Sequence, residues 1–296
     1  MSERQGENGR EAPDRHGFGS FLRNLLEGMP WSERAESEET RCLAAPSSGL
    51  IRVHNANGRT CVIGEDRTDV QIQAQKVARA ESESGAASLL EASRLLEERT
   101  ADEVLELEVA VPSKWNRRGH VNLELRVPRG TSVEIAAANG RVTVTGLCGA
   151  VKARSSNGSV ELSDVVGDVN VTTSNAKVCC CNTRGKLVAR SSNGKIELND
   201  HCGSVNATTS NGLIRASVEE LGRRGVQLAT SNGRIVLELP DEVDAEVDIR
   251  VDNGVIRNDR PLCKASRERN GRLRGRLGNG GAPIRLRTSN GSISLR

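Results

Sequence analysis

One spacing constrains the fold of this chain more than any other feature: an asparagine followed by glycine or alanine recurs at a fixed interval. The first five copies stand at positions 139, 157, 175, 193 and 211, a constant difference of 18, and the next two, at 232 and 253, follow at intervals of 21. A fixed period of this kind indicates a protein built from stacked repeats. The asparagines of the series are Asn139, Asn157, Asn175, Asn193, Asn211, Asn232, Asn253 and Asn290.

Apolar residues occupy the same places in successive repeats. They stand at the third and fifth positions after the asparagine, as in Val142 and Val144 or Ile196 and Leu198, and in the regular repeats they return at the twelfth and fourteenth positions. Alternation with a period of two predicts two short strands per repeat, each with one face turned inward. Glycine at the corners is expected to supply a positive φ, including Gly194.

Two geometries fit this pattern. Asn-Gly between alternating strands is a strong hairpin signal and would give an antiparallel meander. In a β-solenoid, each residue instead lies on the equivalent residue of the next repeat, so that asparagine stacks on asparagine and valine on valine. We favour the second, because a meander gives no reason for a fixed period. The predicted fold is all-β, a single-stranded β-solenoid (β-helix) with about 18 residues per coil. The solenoid is predicted to span residues 136–296.

The remainder of the chain divides into two regions before the repeats. Residues 1–47 are polar and charged, with few β-branched residues, and are predicted to form a disordered tail that contains one short amphipathic segment. Residues 48–135 are predicted to form a capping module with non-repeating strands and one helix, Ser84–Arg99, because a solenoid needs its open end covered. An Arg/Gly-rich excursion interrupts the repeats at 259–282.

Aromatic residues are almost absent, at 1% of 296 residues. Proteins that bind single-stranded nucleic acid stack bases on aromatic rings, so no nucleic-acid partner is expected. The core must be thin and built from Val, Ile, Leu and Ala, since large rings are not available to fill it. The four aromatic residues are Phe18, Phe21, Trp31 and Trp115.

The amphipathic segment in the N-terminal tail is a candidate contact for a partner or a membrane. Most of its apolar residues share one face if the segment is helical. The alternatives are a docking motif for a protein partner or for this chain itself, a peripheral anchor on a bilayer, and no role. Its apolar residues are Phe18, Phe21, Leu22, Leu25, Leu26 and Met29.

No secretory signal and no apolar stretch long enough to span a membrane is visible in the sequence. The expected location is therefore the cytoplasm or the inner face of the membrane. The chain's net charge is +3, but residues 257–287 hold ten basic residues against two acidic ones. This favours a solvated loop, with contact to an anionic surface as the functional alternative. The candidate residues are Arg267, Arg269, Arg272, Arg274 and Arg276.

The groups that carry enzyme chemistry form no convincing constellation. Cys180 occupies a core position of the repeat, so that only Cys179 and Cys181 face outward, and two thiols do not complete a metal site. His201 lies beside Cys202 at a corner but has no evident orienting acid. The strand carboxylates Glu161, Glu197 and Glu238 point outward without forming an acid pair. We expect no enzyme, no metal and no cofactor.

The run Val-Pro-Arg-Gly-Thr-Ser-Val-Glu-Ile at 127–135, followed by iterated Gly-x-Val-x-x-x-Thr-Ser-Asn-Gly-x-Ile-x-Leu, resembles a bacterial family of β-strand-repeat domains of unknown function. The resemblance covers about residues 48–296. The family is catalogued provisionally as adhesins, which implies a surface or envelope role. It offers no catalytic residues to carry over.

Three functions from different classes fit the sequence. The first is a non-enzymatic scaffold or interaction module, adhesin-like and associated with the envelope or a membrane through a partner. The second is a regulatory sensing module of an envelope-stress system, and the third is a polysaccharide-active β-helix enzyme, which the fold allows. A protein partner or self-association is expected, and the final strand, Ser292–Arg296, is expected to end the stack without a cap and to join another copy.

Overall fold

The computed structural model describes residues 33–111, 118–268 and 271–296. Within these residues the protein is all-β, with nineteen strands in one open sheet system and a single helix. The elements that precede the repeats are β1 (Glu33–Ala44), β2 (Leu50–Asn57), β3 (Thr60–Glu65), β4 (Asp69–Ala80), α1 (Glu83–Ala92), β5 (Arg94–Arg99), β6 (Leu105–Ala110) and β7 (Gly119–Pro128).

The strands of the repeats are longer towards the C terminus, because consecutive strands run on through the corners. They are β8 (Ser132–Asn139), β9 (Val142–Thr145), β10 (Val151–Ser155), β11 (Val160–Val166), β12 (Val169–Thr173), β13 (Val178–Ser191), β14 (Ile196–Asn211), β15 (Ile214–Glu238), β16 (Ala245–Asn258), β17 (Cys263–Glu268), β18 (Arg272–Leu277) and β19 (Ala282–Leu295).

Neighbouring repeats pair in parallel, in two series that we call stack A and stack B. In stack A, Val151 pairs with Val133 on one side and Val169 on the other. In stack B, Val160 pairs with Val142 and Val178. Each of these partners lies one full period away, so the strands are joined across the period and not by antiparallel hairpins.

The N-terminal elements extend both stacks with non-repeating strands. In stack A, β2 pairs in parallel with β8 and β6, and β5 closes that side antiparallel to β6. In stack B, β3 pairs in parallel with β9 and β7. Strand β4 then pairs antiparallel with β7, and β1 pairs antiparallel with β4. Helix α1 packs against β1 and β4, and its Ala86 and Leu89 are buried.

Residues 33–44 were assigned from composition to the disordered tail, and that assignment is wrong. They form β1, which pairs with β4 along its whole length, from Glu33 opposite Ala80 to Ala44 opposite Asp69. Most β1 side chains are exposed or half-buried, because β1 is the outermost strand of stack B. A strand at that position can be highly charged, and the charge discourages pairing with another chain.

The predicted helix Ser84–Arg99 is too long. Helix α1 ends at Ala92, and Arg94–Arg99 forms β5. Ser82 caps the start of α1 by accepting a 3.2 Å hydrogen bond from the Gly85 amide. Within β5, Leu95 is buried and its neighbour Leu96 is 47% exposed. This is the alternation of a strand and not the continuous apolar stripe of a helix.

The C-terminal end of the stacks is not formed by the end of the chain. Strand β19 lies between β15 and β16, with Ile284 paired to Val226 on one side and to Val247 on the other. The prediction that Ser292–Arg296 ends the stack uncovered is therefore wrong. The terminal repeat strand is β16, which the chain forms before it returns to insert β19.

The Arg/Gly-rich excursion is ordered as strands in its described part. Strands β17 and β18 pair antiparallel, and β18 also pairs antiparallel with Ala245–Arg250 of β16. This hairpin extends stack A beyond the last repeat. No comparable strand is described beside the second half of β16, where Val255 is 54% exposed.

The core is a narrow layer of aliphatic residues between the two stacks. Successive repeats place Val142, Val160, Val178, Ile196 and Ile214 in register, all fully buried. All four Phe and Trp residues of the chain lie outside the described residues, and the chain has no Tyr, so this core contains none of the three large aromatic side chains. Aliphatic side chains of similar size stack well at the strand spacing of about 4.8 Å.

Glycine at the asparagine corners serves close approach more than positive φ. Gly194 does not have a φ in the left-handed range, which corrects the prediction for this residue. A Cβ atom at Gly194 would lie 2.0 Å from the carbonyl oxygen of Ala176, the equivalent residue one repeat earlier. The other corner does use left-handed glycine, with φ of +129° at Gly185 and +138° at Gly203.

Candidate functional site

Asparagine side chains form a continuous row along the corner between the two stacks. The Nδ2 group of each donates to the Oδ1 atom of the preceding one, at 2.8 to 3.1 Å. We call this row the asparagine ladder. In spatial order it comprises Asn57, Asn139, Asn157, Asn175, Asn193, Asn211, Asn232, Asn290 and Asn253.

The asparagine ladder departs from the regular series at both ends, in spacing at the N-terminal end and in order at the C-terminal end. Asn57 begins the ladder 82 residues before its neighbour, Asn139, and was not among the predicted members although Asn57-Gly58 shows the same dipeptide. Asn290 lies between Asn232 and Asn253, because β19 is inserted between β15 and β16. Aligned amides polarise one another, which strengthens such a chain of hydrogen bonds.

Hydroxyl groups beside the ladder bind the corner backbone. Ser155 accepts a hydrogen bond from the Gly158 amide at 3.0 Å. Thr209 donates to the Gly194 carbonyl at 3.3 Å and Thr288 to that of Gly233 at 3.3 Å. These hydrogen bonds hold the corner at Gly158 within its own repeat and tie the corners at Gly194 and Gly233 to a neighbouring repeat.

A basic face lies at the C-terminal end of stack A, on the outward side of β16, β18 and β19. It holds six arginines against three carboxylates, a net charge of +3. The arginines alternate with buried residues such as Leu273 and Leu286, which turns them outward. The basic face comprises Arg250, Arg272, Arg274, Arg276, Arg285 and Arg287, with Glu246, Asp248 and Asp252.

Ion pairs position part of the basic face. Arg272 binds Asp248 through two hydrogen bonds of 2.9 and 2.8 Å, and Arg276 lies 3.0 Å from Glu246. The hydrogen bond from Arg272 lowers the pKa of Asp248 despite its partial burial. Arg285 and Arg287 form no ion pair with any residue in the described part of the chain.

Three of the five arginines predicted to meet an anionic surface share the basic face: Arg272, Arg274 and Arg276. The backbone of Arg267 pairs with Leu273 in the hairpin, but its side chain lies outside what the structure describes. Arg269 lies outside the described residues. The candidate set from the sequence left out Arg250, and it left out Arg285 and Arg287 although they belong to the basic stretch 257–287. Only strand pairing brings β16 and β19 beside β18.

The amphipathic segment with Phe18, Phe21, Leu22, Leu25, Leu26 and Met29 lies outside the described residues, so its predicted contact stays a prediction. The described helix, α1, has ten residues. No helix in the described ranges has the length and apolar character needed to cross a membrane.

His201 and Cys202 do not face each other. His201 is 1% exposed in the core, where its Nδ1 atom lies 2.8 Å from the Thr183 hydroxyl. The Cys202 thiol points outward and donates to Glu219 at 3.6 Å. Burial lowers the pKa of His201. Alternate residues of a strand point to opposite sides, so this pair cannot work as a nucleophile and its base.

The three adjacent cysteines also alternate. Cys180 is fully buried, and the Sγ atoms of Cys179 and Cys181 lie 3.9 Å apart on the outer side. Burial is the main cause that raises the pKa of Cys179 to about 11, which disfavours the thiolate. Among the described residues, no group of three His, Cys, Asp or Glu side chains is placed to hold a metal ion.

The outward carboxylates on stack B have cationic neighbours. Glu197 contacts both Lys177 and Lys195, and these hydrogen bonds lower its pKa. Glu161 lies 3.6 Å from Arg141, and Glu238 lies 3.8 Å from Arg296. A general acid needs a raised pKa near neutrality, which is the opposite of the shift at Glu197.

The strand pairing and the rows of side chains define an all-β protein of parallel-stacked repeats. The chain belongs to the Toastrack DUF4097 family, whose model matches residues 66–296. No curated protein matches the sequence.

Three solved structures are similar over most of their length. One from Bacteroides fragilis, provisionally described as an adhesin, is 12% identical with a TM-score of 0.47, and the match covers 88% of this chain and 97% of that one. A cell adhesion protein, also provisionally described, from Clostridium sporogenes is 9% identical, with a TM-score of 0.32 and coverage of 88% and 99%.

The third, from Parabacteroides distasonis, is provisionally described as a lipid binding protein. It is 12% identical with a TM-score of 0.37, and the match covers 88% of this chain and 97% of that one. No conclusion about function follows from similarities at this level.

Proposed function

We propose that the protein is a non-enzymatic, adhesin-like scaffold or interaction module that is held at a membrane or envelope by a protein partner. The observation that carries the proposal is the rigid, repetitive outer surface, in which side chains of one repeat bind those of the next. A surface whose side chains are already ordered loses little conformational entropy when it binds a partner.

The asparagine ladder and the two parallel stacks support a specific winding. We infer that each repeat forms one coil of a single-stranded solenoid with about 18 residues per coil. The offset of one full period in both stacks supports this winding, since one strand of each repeat enters each stack. The outer surface of such a coil repeats at the strand spacing of about 4.8 Å.

The charge environment of the strand carboxylates favours binding over catalysis. Glycoside hydrolysis requires two carboxyl groups with different pKa values flanking one bond. Glu161, Glu197 and Glu238 each lie beside a cation, and at Glu197 the hydrogen bonds from Lys177 and Lys195 lower the pKa. These contacts favour the scaffold over the polysaccharide-active alternative. The sensing module stays a second proposal within the same binding class.

Cell fractionation tests the proposal. Full-length protein should pellet with the membranes of the native cells, and a variant with Phe18→Ser, Leu22→Ser and Leu25→Ser tests whether the N-terminal segment makes the contact. Purified protein should also rebind to washed membranes, and protease treatment of those membranes should reduce the amount that rebinds. Recovery of the protein as a soluble monomer without a copurifying partner would overturn the proposed role.

A further inference from the structure

Three arginines stand side by side across the basic face. Arg250 of β16 pairs with Arg287 of β19 on one side and with Arg272 of β18 on the other. Their side chains point the same way from neighbouring strands about 4.8 Å apart. Like charges directly opposite one another destabilise a sheet, so this row carries a folding cost that an anionic ligand would relieve.

The available carboxylates do not neutralise this row completely. Asp248 binds Arg272, and Asp252 lies 3.0 Å from Arg250. Arg287 and its neighbour Arg285 on β19 form no ion pair within the described residues, and both are exposed. The row and its neighbour Arg285 therefore keep positive charge that no carboxylate of the described residues within 4 Å neutralises, and this charge is available to an anionic partner.

The opposite end of the same outer surface carries the opposite charge. The outward positions of β2, β5, β6 and β8 hold four glutamates against two arginines, a net charge of −2. We call this the acidic end. It comprises Arg52, Arg94, Glu98, Glu106, Glu108 and Glu134. An anionic plane would therefore attract one end of stack A and repel the other, which sets an orientation.

We propose that the basic face binds the phosphate headgroups of an anionic phospholipid surface. The arginine guanidinium group is planar and can bind phosphate oxygens in a bidentate manner. A shallow depression of about 430 Å³ between β16, β18 and β19, lined by Lys264, Arg274 and Arg285 among others, offers room for a headgroup. This inference rests on the proposed role at a membrane and names a lipid contact for it.

The shape and composition of the basic face favour lipid headgroups over a single polymer strand. The arginines spread over three neighbouring strands as a patch and do not line a deep groove. No Phe, Tyr or Trp side chain is present in the described part of the chain to stack on a base or a sugar ring. A patch of guanidinium groups without rings matches a plane of phosphates, to which each nearby arginine adds attraction.

Vesicle binding tests the proposal with full-length protein. Phosphatidylcholine vesicles with and without phosphatidylglycerol are sedimented with the protein at low and physiological salt. Binding should require phosphatidylglycerol and weaken as salt rises. The triple variant Arg274→Gln, Arg285→Gln and Arg287→Gln should reduce binding about tenfold or more. It spares Arg272, whose paired hydrogen bonds to Asp248 also hold β18 to β16, and it adds no acid beside Asp248.

A matched control changes the net charge by the same amount elsewhere on stack A. Arg154→Gln, Lys186→Gln and Arg190→Gln alter exposed side chains on β10 and β13, which at least two strands separate from the basic face. This control should retain vesicle binding, and both variants should keep the melting temperature within a few degrees of the parent. Equal loss of binding in both triple variants would overturn the proposal, as would equal binding to both kinds of vesicle.

Direct binding measurements separate the lipid surface from other anions. Binding of inorganic phosphate and of a heparin-like polyanion is measured without vesicles. Binding of either anion by a protein that does not bind phosphatidylglycerol vesicles would overturn the lipid proposal, and binding of the polyanion would reassign the basic face to a polymer. Failure of vesicle binding while the protein still rebinds protein-containing membranes would reject this inference and leave the proposed scaffold role standing.

Discussion

The two ends of the stacked repeats are closed in different ways. At the N-terminal end, β5 covers stack A, while β4, β1 and helix α1 cover stack B. At the C-terminal end, the hairpin β17–β18 covers the first half of β16 and no described strand covers the second half. The first end is acidic on its outer surface and the second is basic.

This difference shows that the repeat pattern determines how neighbouring repeats pair but not how the two ends of the stacks are covered. Within the repeats every strand meets an equivalent strand one period away, so that one pattern serves for all of them. At an end the pattern has no partner, and non-repeating sequence must satisfy the exposed edge. These segments are free to carry charge of either sign, which is where the two ends acquire distinct binding properties.

The largest expected effect is a loss of unfolding free energy, and it compares a glycine at a repeat corner with a glycine in a turn before the repeats. Gly194→Ala should destabilise the protein by about 3 kcal/mol, because its Cβ would lie 2.0 Å from the Ala176 carbonyl oxygen. Gly130→Ala, in the turn between β7 and β8, is the control, since a Cβ there meets no atom within 4 Å. Urea unfolding measures both, and equal stability of the two variants would contradict the close stacking of the corners.

The asparagine ladder offers a smaller contrast between its interior and its C-terminal end. Asn193→Ala removes hydrogen bonds of 3.0 and 2.8 Å to Asn175 and Asn211, whereas Asn253→Ala removes one of 3.0 Å to Asn290. We expect a loss of about 1–2 kcal/mol for the interior variant and about half as much for the terminal one. Thermal unfolding that ranks Asn253→Ala as the more damaging change would count against a continuous ladder.

The smallest expected effect is on the pH dependence of stability. It compares a buried histidine in the repeats, His201, with an exposed one before the repeats, His120. Burial lowers the pKa of both His201 and His120, but only His201 is fully enclosed. Because the pKa of a buried histidine is lower in the folded protein than in the unfolded chain, the unfolded chain binds more protons as the pH falls. Stability should therefore fall as the pH drops below about 6.5, by at most about 1.4 kcal/mol per pH unit.

His201→Val isolates this contribution, because Val218 occupies the paired position on β15. The parent should lose more unfolding free energy than the variant between about pH 7 and about pH 5.5. His120→Val should leave most of the pH dependence in place. Identical pH profiles for the parent and His201→Val would mean that His201 is not held neutral by burial.

The sequence allowed good predictions of strands and buried positions wherever the period operates, whereas the positive φ predicted at the periodic corner residue Gly194 was wrong. The inward positions Val142, Val160 and Val178 follow from alternation alone, and the structure buries all three. The assignment of Cys180 to the core follows from its equivalence to Leu162, and both are buried. Prediction failed at residues without an equivalent one period away, such as the charged strand β1, which composition alone made resemble a disordered segment.

The basic face could be predicted only in part for the same reason. Arg272, Arg274 and Arg276 alternate within one segment and were identified as a group. Arg250 and Arg287 join them through strand pairs between segments whose separation along the chain is not the repeat period. Pairings of this kind depend on where the chain returns, which no local pattern encodes.

The sequence by itself determined the all-β class, the spacing of the repeats, the apolar core positions and the asparagines that stack, because each depends on contacts between equivalent residues. Only the tertiary structure decided that β19 lies inside the stack, that β16 forms its last repeat strand and that six arginines share one surface. The physical reason is that these features depend on strand pairs whose separation along the chain is not the repeat period. The sequence pattern does not distinguish between the possible pairings, and burial and backbone hydrogen bonding in the folded protein select one of them.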